Sequence, residues 1–365
     1  MRIGIITIDG GTNYGGALQC YAFQEELKSL GHQVEIIRGT GKERIPLLLR
    51  LQSLFFSFTW KKIWNHLKRK AVVYLPDEIE EMSETFSKFR AKYYQASEHL
   101  PYSEWGEYTN RKFDVIIIGS DQVWTNLYDP VDVAFVGWEP EFKGIRLSFA
   151  SCSAFDKIRD PFKKRRLTHL LSKFSEVTVR DDATASLVRK ITGSTPKIVP
   201  DPSELYHYKE FVTEEKPLVA PYIFVYVLGS EIDGGHKEAL RRIKAKYGNL
   251  KVVGVKTGNA LTGVHAVADV MLSSLAPDQW VNCLSKATVV YTDSFHAVLF
   301  SIKFGVPFVG YYHKGIRASR LLYLKNRYNA PNIINKATEI SEITAYKDCS
   351  DISVLRDFLE RNGVK

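Results

Sequence analysis

The chain has 365 residues, 45% of them hydrophobic and 12% aromatic, with 50 Lys and Arg against 41 Asp and Glu for a net charge of +9. This suits a globular protein of about two domains, and the absence of any uncharged apolar run of about 18 residues argues against a membrane-spanning helix. The strand-like opening MRIGIITIDGG is not a signal peptide, and Cys20, Cys152, Cys283 and Cys349 show no CxxC or Cys/His ligand spacing; the expectation is a reduced, cytoplasmic protein without disulfides or a metal site.

In chain order, RIGIITI (2–8) reads as a buried strand. A loop rich in Gly and Asn follows, and then a helix, ALQCYAFQEELKSLG, stopped by Gly31. QVEIIRG (33–39), FDVIIIGSD (113–121), RLSFASC (146–152) and VTVRD (177–181) supply further strands. Residues 40–112 break the alternation and read as a helical insertion. PDPSELYHYKEFVTEEKP (200–217), polar and proline-bearing, reads as the linker. A second unit opens with YIFVYVLGSEIDGG and continues through KVVGV (251–255), ATVVYTD (287–293) and VPFVGYY (306–312). The pattern predicts an α/β protein of two Rossmann-like doubly wound domains facing across a cleft. Their spans are 1–205 and 206–345, with a C-terminal helix over 346–365. Ligands of such sheets sit beyond the carboxyl ends of the strands.

Several residues fall at those ends. The loop DGGTNYGGALQCYAF (9–23) places Asn13, Gly15 and Gly16 where backbone N–H groups can approach an anion at a helix N-terminus. Plain steric need for glycine is the competing reading. Asp121, in IGSDQVW, either caps the following segment or lines the cleft. Arg180 is either a fork for a carboxylate or phosphate, or the partner of Asp181 or Asp182. In TDSFHAVLF (292–300), Asp293 or Ser294 caps a helix whose first turn carries His296, where the dipole disfavours the imidazolium. A cleft histidine so placed exchanges protons near neutral pH; a hydrogen-bonded core histidine is the alternative. There is no GxGxxG, Walker loop, HExxH or nucleophile elbow.

Taken together and in order, NYGGALQCYAF (13–23), IIIGSDQVW (116–124), SFASCS (148–153), VTVRDDATASLV (177–188), PDPSEL (200–205), TDSFHAVLFSIKFGVPFV (292–309) and RASRLLYL (317–324) resemble the polysaccharide pyruvyl transferase family. The resemblance implies a GT-B-like fold. It implies transfer of the enolpyruvyl group of phosphoenolpyruvate onto a sugar of a polysaccharide or its precursor, giving a pyruvate ketal and releasing phosphate. Phosphoenolpyruvate is then a donor substrate and no cofactor is needed. Characterised members carry an Arg-Leu-His triplet whose histidine is the acid/base. Here Ser294-Phe295-His296 stands in that place, so the histidine is kept and the arginine is not. The family's other arginine matches Arg180. On this reading His296 is catalytic. Arg180, Asn13, Gly15, Gly16, Asp121, Ser294 and Arg320 line the donor site, and Arg317 or Arg320 replaces the missing arginine.

Two readings of other classes stand beside it. A nucleotide-sugar-dependent GT-B glycosyltransferase would share the fold but need a base pocket and a ribose-binding acid. A non-catalytic protein binding anions or a membrane surface would account for the charge. Nucleic acid has only the charge behind it, with no recognisable module. Residues 44–70, with Trp60 and Trp64 near one helical face and Lys61, Lys62, Lys68, Arg69 and Lys70 gathered at the end, have the composition of an interfacial helix. That places a bacterial, exopolysaccharide-building enzyme in the cytoplasm, peripheral at the inner membrane, with a lipid-linked oligosaccharide as acceptor. An ordinary inserted helix packed on the first domain is the plainer alternative.

Overall fold

The structure is a computed structural model that describes residues 1–39, 48, 51, 76–124, 142–153, 156–158, 160–214, 218, 221–257, 262–313 and 318–365. Apart from Leu48 and Leu51, the expected interfacial helix at 44–70 lies outside the described residues, as does Arg317. Among the described residues no helix is long and apolar enough to cross a membrane.

The first sheet is built from Arg2–Ile6 (β1), Gln33–Gly39 (β2), Ala96–Leu100 (β3), Val115–Ile118 (β4), Ile145–Ser151 (β5), Glu176–Val179 (β6) and Lys197–Ile198 (β7). The second is built from Tyr222–Tyr226 (β8), Lys251–Val255 (β9), Val270–Leu272 (β10), Val289–Thr292 (β11), Phe308–Tyr311 (β12) and Ile333–Ile334 (β13). Their orders are β3-β2-β1-β4-β5-β6-β7 and β10-β9-β8-β11-β12-β13. Both wind outward from a central pair, and the pairings are parallel (for instance Ile5 beside Ile36 and Ile117, Val225 beside Gly254 and Tyr291). The central strands β4, β8 and β11 are buried along their whole length, which is why they read as continuous apolar runs. Two Rossmann-like domains result, each with a topological switch point between its first and fourth strands.

Two expectations change. The region 40–112 is not wholly an insertion. Helix Pro76–Tyr93 is followed by β3, which extends the first sheet beside β2, and by helix Tyr102–Lys112. β3 reads ASEHL, a half-exposed edge strand with no apolar run to announce it. The segment after β7 is not a solvated linker. Asp201, Pro202, Ser203, Glu204 and Leu205 are all buried in a short helix, and Tyr208 and Phe211 are buried beyond it. The sequence left open which domain the C-terminal helix Ser353–Arg361 packs on. It returns to the first domain, where Leu355, Phe358 and Leu359 share a core with Ile3 and Phe149. The Phe149 and Phe358 rings are 5.1 Å apart.

One hydrophobic core runs through both domains. Tyr14, Leu18 and Tyr21 of helix Tyr14–Ser29 pack with Tyr226, Trp280 and Phe300 of the second domain. Tyr14 stacks on Trp280 at 5.5 Å and 14°, and its hydroxyl donates to the Leu275 carbonyl at 3.1 Å. Tyr21 stacks on Phe211 at 5.1 Å. The domains are therefore fused along an aromatic seam beside the switch points. Trp280→Ala, at a fully buried position, should cost about 3–5 kcal/mol in denaturant unfolding and leave a single transition. Two separated transitions in the wild-type chain would contradict the shared core.

Candidate active site

The site forms where the strand ends of both domains meet the seam. Gly119 follows β4 in a conformation with φ +129°, and a Cβ there would sit 2.1 Å from the Phe149 carbonyl oxygen. Glycine lets the β4 loop lie against β5 and brings Ser120 and Asp121 inward. Cys152 N–H donates to the Asp121 carbonyl at 3.0 Å, closing that loop.

Arg180 follows β6 and its side chain is fully buried. A buried guanidinium demands carboxylates. It finds Asp201 (Nη1 to Oδ2, 2.5 Å) and, more loosely, Asp121 (Nη2 to Oδ1, 3.5 Å), and it lies 4.8 Å from the Phe295 ring centroid. The sequence-adjacent pairing expected with Asp181 or Asp182 does not form. Asp181 instead caps helix Asp182–Thr192 through the Thr184 N–H, and its carboxylate accepts from the Cys152 thiol at 3.1 Å. The guanidinium leaves no exposed face for a ligand.

Asp201 is the hub. Its Oδ2 accepts from Arg180 and from the Ser120 hydroxyl at 2.8 Å. Its Oδ1 accepts from the Ser203 N–H at 2.9 Å and hydroxyl at 2.6 Å. Burial would raise this carboxyl, but the Arg180 charge and the Ser203 hydrogen bond, joined at low pH by a protonated His296, overcome it and bring the pKa down to about 2. Glu204 reaches back to the Asp201 N–H at 3.0 Å, completing a capping box.

His296 stands in the first turn of helix Phe295–Lys303. Ser294 is the cap, accepting from the Ala297 N–H at 3.4 Å; Asp293 is not, because its carboxylate takes the N–H groups of Leu228 and Gly229 at 2.6 and 2.7 Å. The imidazole is 5% exposed. Its Nε2 lies 4.0 Å from Asp201 Oδ2 with no hydrogen-bond partner. Its other side rests on Gly15, where a Cβ would fall 2.1 Å from Nδ1. Burial lowers the imidazole pKa to about 4, with Asp201 and Asp121 opposing and Arg180 and Arg320 assisting. Desolvation is thus the main cause of the shift that the helix dipole suggested, and the ring is neutral at pH 7.

Of the residues expected at the site, the structure brings His296, Arg180, Asp121, Arg320 and Gly15 together. Arg320, on helix Ala318–Arg327, places Nη1 4.0 Å from Asp121 Oδ1 and its guanidinium 5.9 Å from the Phe295 centroid. Asn13, Gly16 and Ser294 serve helix starts, with Asn13 Oδ1 accepting from the Gly16 N–H at 3.4 Å. Asp201 and Ser120 were not anticipated as site residues, nor was Glu204 as the residue that caps Asp201 from outside the site. The one signal was the D-x-x-E capping pattern inside PDPSEL.

A family model described as polysaccharide pyruvyl transferase matches residues 13–315. No curated protein matches the chain. Among solved structures, it is similar to the S. aureus MnaA–UDP co-structure, with a TM-score of 0.54, 11% identity, and 100% of this chain and 97% of that one covered. It is similar to a putative UDP-N-acetylglucosamine 2-epimerase from Listeria monocytogenes, with a TM-score of 0.52, 11% identity and coverage of 100% and 89%. It is also similar to the UDP-GlcNAc 2-epimerase of Methanocaldococcus jannaschii in complex with UDP-GlcNAc and UDP, with a TM-score of 0.52, 10% identity and coverage of 99% and 100%. These are GT-B-type folds, and at such identities the likeness carries the fold alone.

The buried ion cluster yields a stability prediction. Arg180→Met removes the cation and strands Asp201 in the interior, so unfolding free energy should fall by about 3–5 kcal/mol at pH 7. A loss below about 1 kcal/mol, the size of an exposed pair, would contradict the assignment of Arg180 to the core of the site.

Proposed function

The chain belongs to the polysaccharide pyruvyl transferase family, and from that premise we propose that it joins the enolpyruvyl group of phosphoenolpyruvate to a sugar as a ketal, with His296 moving the protons. The observation that carries this is a neutral imidazole at the domain seam, 4.0 Å from an ionised, buried Asp201. A neutral ring suits the first half of the reaction. Nε2 draws off the proton of a sugar hydroxyl, and the imidazolium so formed is balanced by Asp201. It delivers that proton to the methylene carbon, whose new C–H bond takes the C=C electron pair and makes the methyl group, and the central carbon, left electron-poor, bonds to the sugar oxygen. A second hydroxyl then bonds to the same carbon as the C–O bond to phosphate breaks. The hydrogen ion and phosphate leave, and atoms balance. The negative charge of the donor beside the ring raises its proton affinity from about 4 toward the working range.

Arg320 is our choice for the donor's anionic end. Ser294 occupies the place of the family's triplet arginine and is consumed in capping, whereas Arg320 brings a guanidinium to the same neighbourhood from another helix. Arg180 then acts by holding Asp201. The acceptor class is a sugar of a polysaccharide or its precursor, carried on lipid at the cytoplasmic face of a bacterial membrane.

Two of the similar structures are complexes with UDP, one of them with UDP-GlcNAc as well, which supports a nucleotide-sugar reading. The second sheet speaks against it. Asp293 occupies the Leu228 and Gly229 N–H groups in the first turn after β8, where a doubly wound domain would offer donors to a pyrophosphate. Phosphoenolpyruvate should therefore raise the melting temperature while UDP and GDP leave it unchanged; a shift with UDP alone would favour the nucleotide reading. With phosphoenolpyruvate and a panel of β-galactosides, phosphate release by the wild-type chain should exceed that of His296→Ala by about 10²–10⁴. Near-normal release by the variant would remove His296 from the chemistry.

A further inference from the structure

Arg320 and Arg327 lie seven residues apart on helix Ala318–Arg327, about 10 Å along one face. Each reaches a carboxylate of the first domain. Arg320 approaches Asp121 in the loop after β4. Arg327 Nη1 meets Glu204 Oε2 at 3.0 Å. The helix itself belongs to the second domain, where Leu321 and Leu324 enter the core. Glu204 is tied at both ends. Its Oε1 accepts the Asp201 N–H at 3.0 Å, and its Oε2 also accepts the Tyr328 hydroxyl at 3.3 Å. Arg327 is steadied by donating to the Tyr323 hydroxyl at 3.1 Å and by the Tyr328 ring 5.5 Å away.

A buried ion pair is a poor source of net stability, because desolvation offsets most of the attraction, but it fixes direction and register where its partners are well placed. Here the pair joins the backbone of Asp201, the residue facing His296, to the end of the helix that carries Arg320. We infer that Glu204 and Arg327 are positioning residues that set where Arg320 stands relative to His296, and so set the affinity for an anionic donor without touching it. The inference rests on the reading of the cleft given under Proposed function.

Calorimetric titration with inorganic phosphate and with phosphoenolpyruvate, together with steady-state kinetics, tests it. Arg327→Ala should weaken both anions and raise KM about tenfold, with kcat within about twofold of wild type. Arg320→Ala should weaken them at least as much. The double variant should be no weaker than Arg320→Ala alone, because Arg327 acts through Arg320. Glu204→Gln retains the acceptor for the Asp201 N–H and should reproduce the Arg327→Ala effect, so the test does not depend on one variant folding. A lowered melting temperature with unchanged anion affinity in both Glu204→Gln and Arg327→Ala would reduce the pair to a brace and overturn the inference. Additive losses in the double variant would overturn it too, since Arg327 would then meet the anion itself. If the wild-type chain binds phosphate but does not turn over phosphoenolpyruvate, the proposed function falls while the inference is decided on phosphate. Binding of neither anion would overturn both.

Discussion

The Asp201–Arg180 pair is the constraint on which the site depends. Two opposite charges sit in the interior with side chains fully buried, and each is tolerable only because the other is there. The pair fastens β6 to the start of the second domain's lead-in, and Ser120 adds the β4 loop through its hydrogen bond to the same carboxylate oxygen. The charge of Asp201 then remains beside His296, ready to balance an imidazolium. Without Arg180, burial would push the Asp201 carboxyl up, and that balance would be lost.

The shared core makes this placement durable. Tyr14 stacked on Trp280 and Tyr21 stacked on Phe211 bind helix Tyr14–Ser29 to the second domain. That helix presents Gly15 to the His296 ring. The histidine is therefore dried and oriented by both domains at once. In a dry environment a charge formed during reaction interacts strongly with fixed neighbours, which is the condition under which a carboxylate 4.0 Å away matters.

Much of this was legible in the sequence, for physical reasons that also mark its limits. Strands β1, β4, β8, β9, β11 and β12 announce themselves because burial on both faces makes them nearly continuous apolar runs, and β2, β5 and β6 remained legible between them although polar residues interrupt them. The missed strands β3, β7, β10 and β13 are two to five residues long and lie at or near sheet edges. His296, Arg180, Asp121 and Arg320 stood out as polar residues near strand ends or at the start of a helix. Their partners did not. Asp201 and Glu204 read as linker because their burial comes from long-range contacts with Arg180, Ser120 and Arg327, none adjacent in sequence. At Gly15 the sequence leaves an anion cradle and plain steric need side by side, and the structure shows the steric need, because a Cβ there would run into the His296 imidazole.

The central claim is that the seam holds His296 dry and neutral. The most direct measurement is the pH titration of its ring nitrogens by ¹⁵N NMR in the ligand-free chain, assigned with the His296→Ala variant. A buried imidazole facing Asp201 should protonate with a midpoint near pH 4 and be neutral throughout the range above pH 5. A midpoint near the ordinary value of about 6.5 would show a solvated ring and contradict the account.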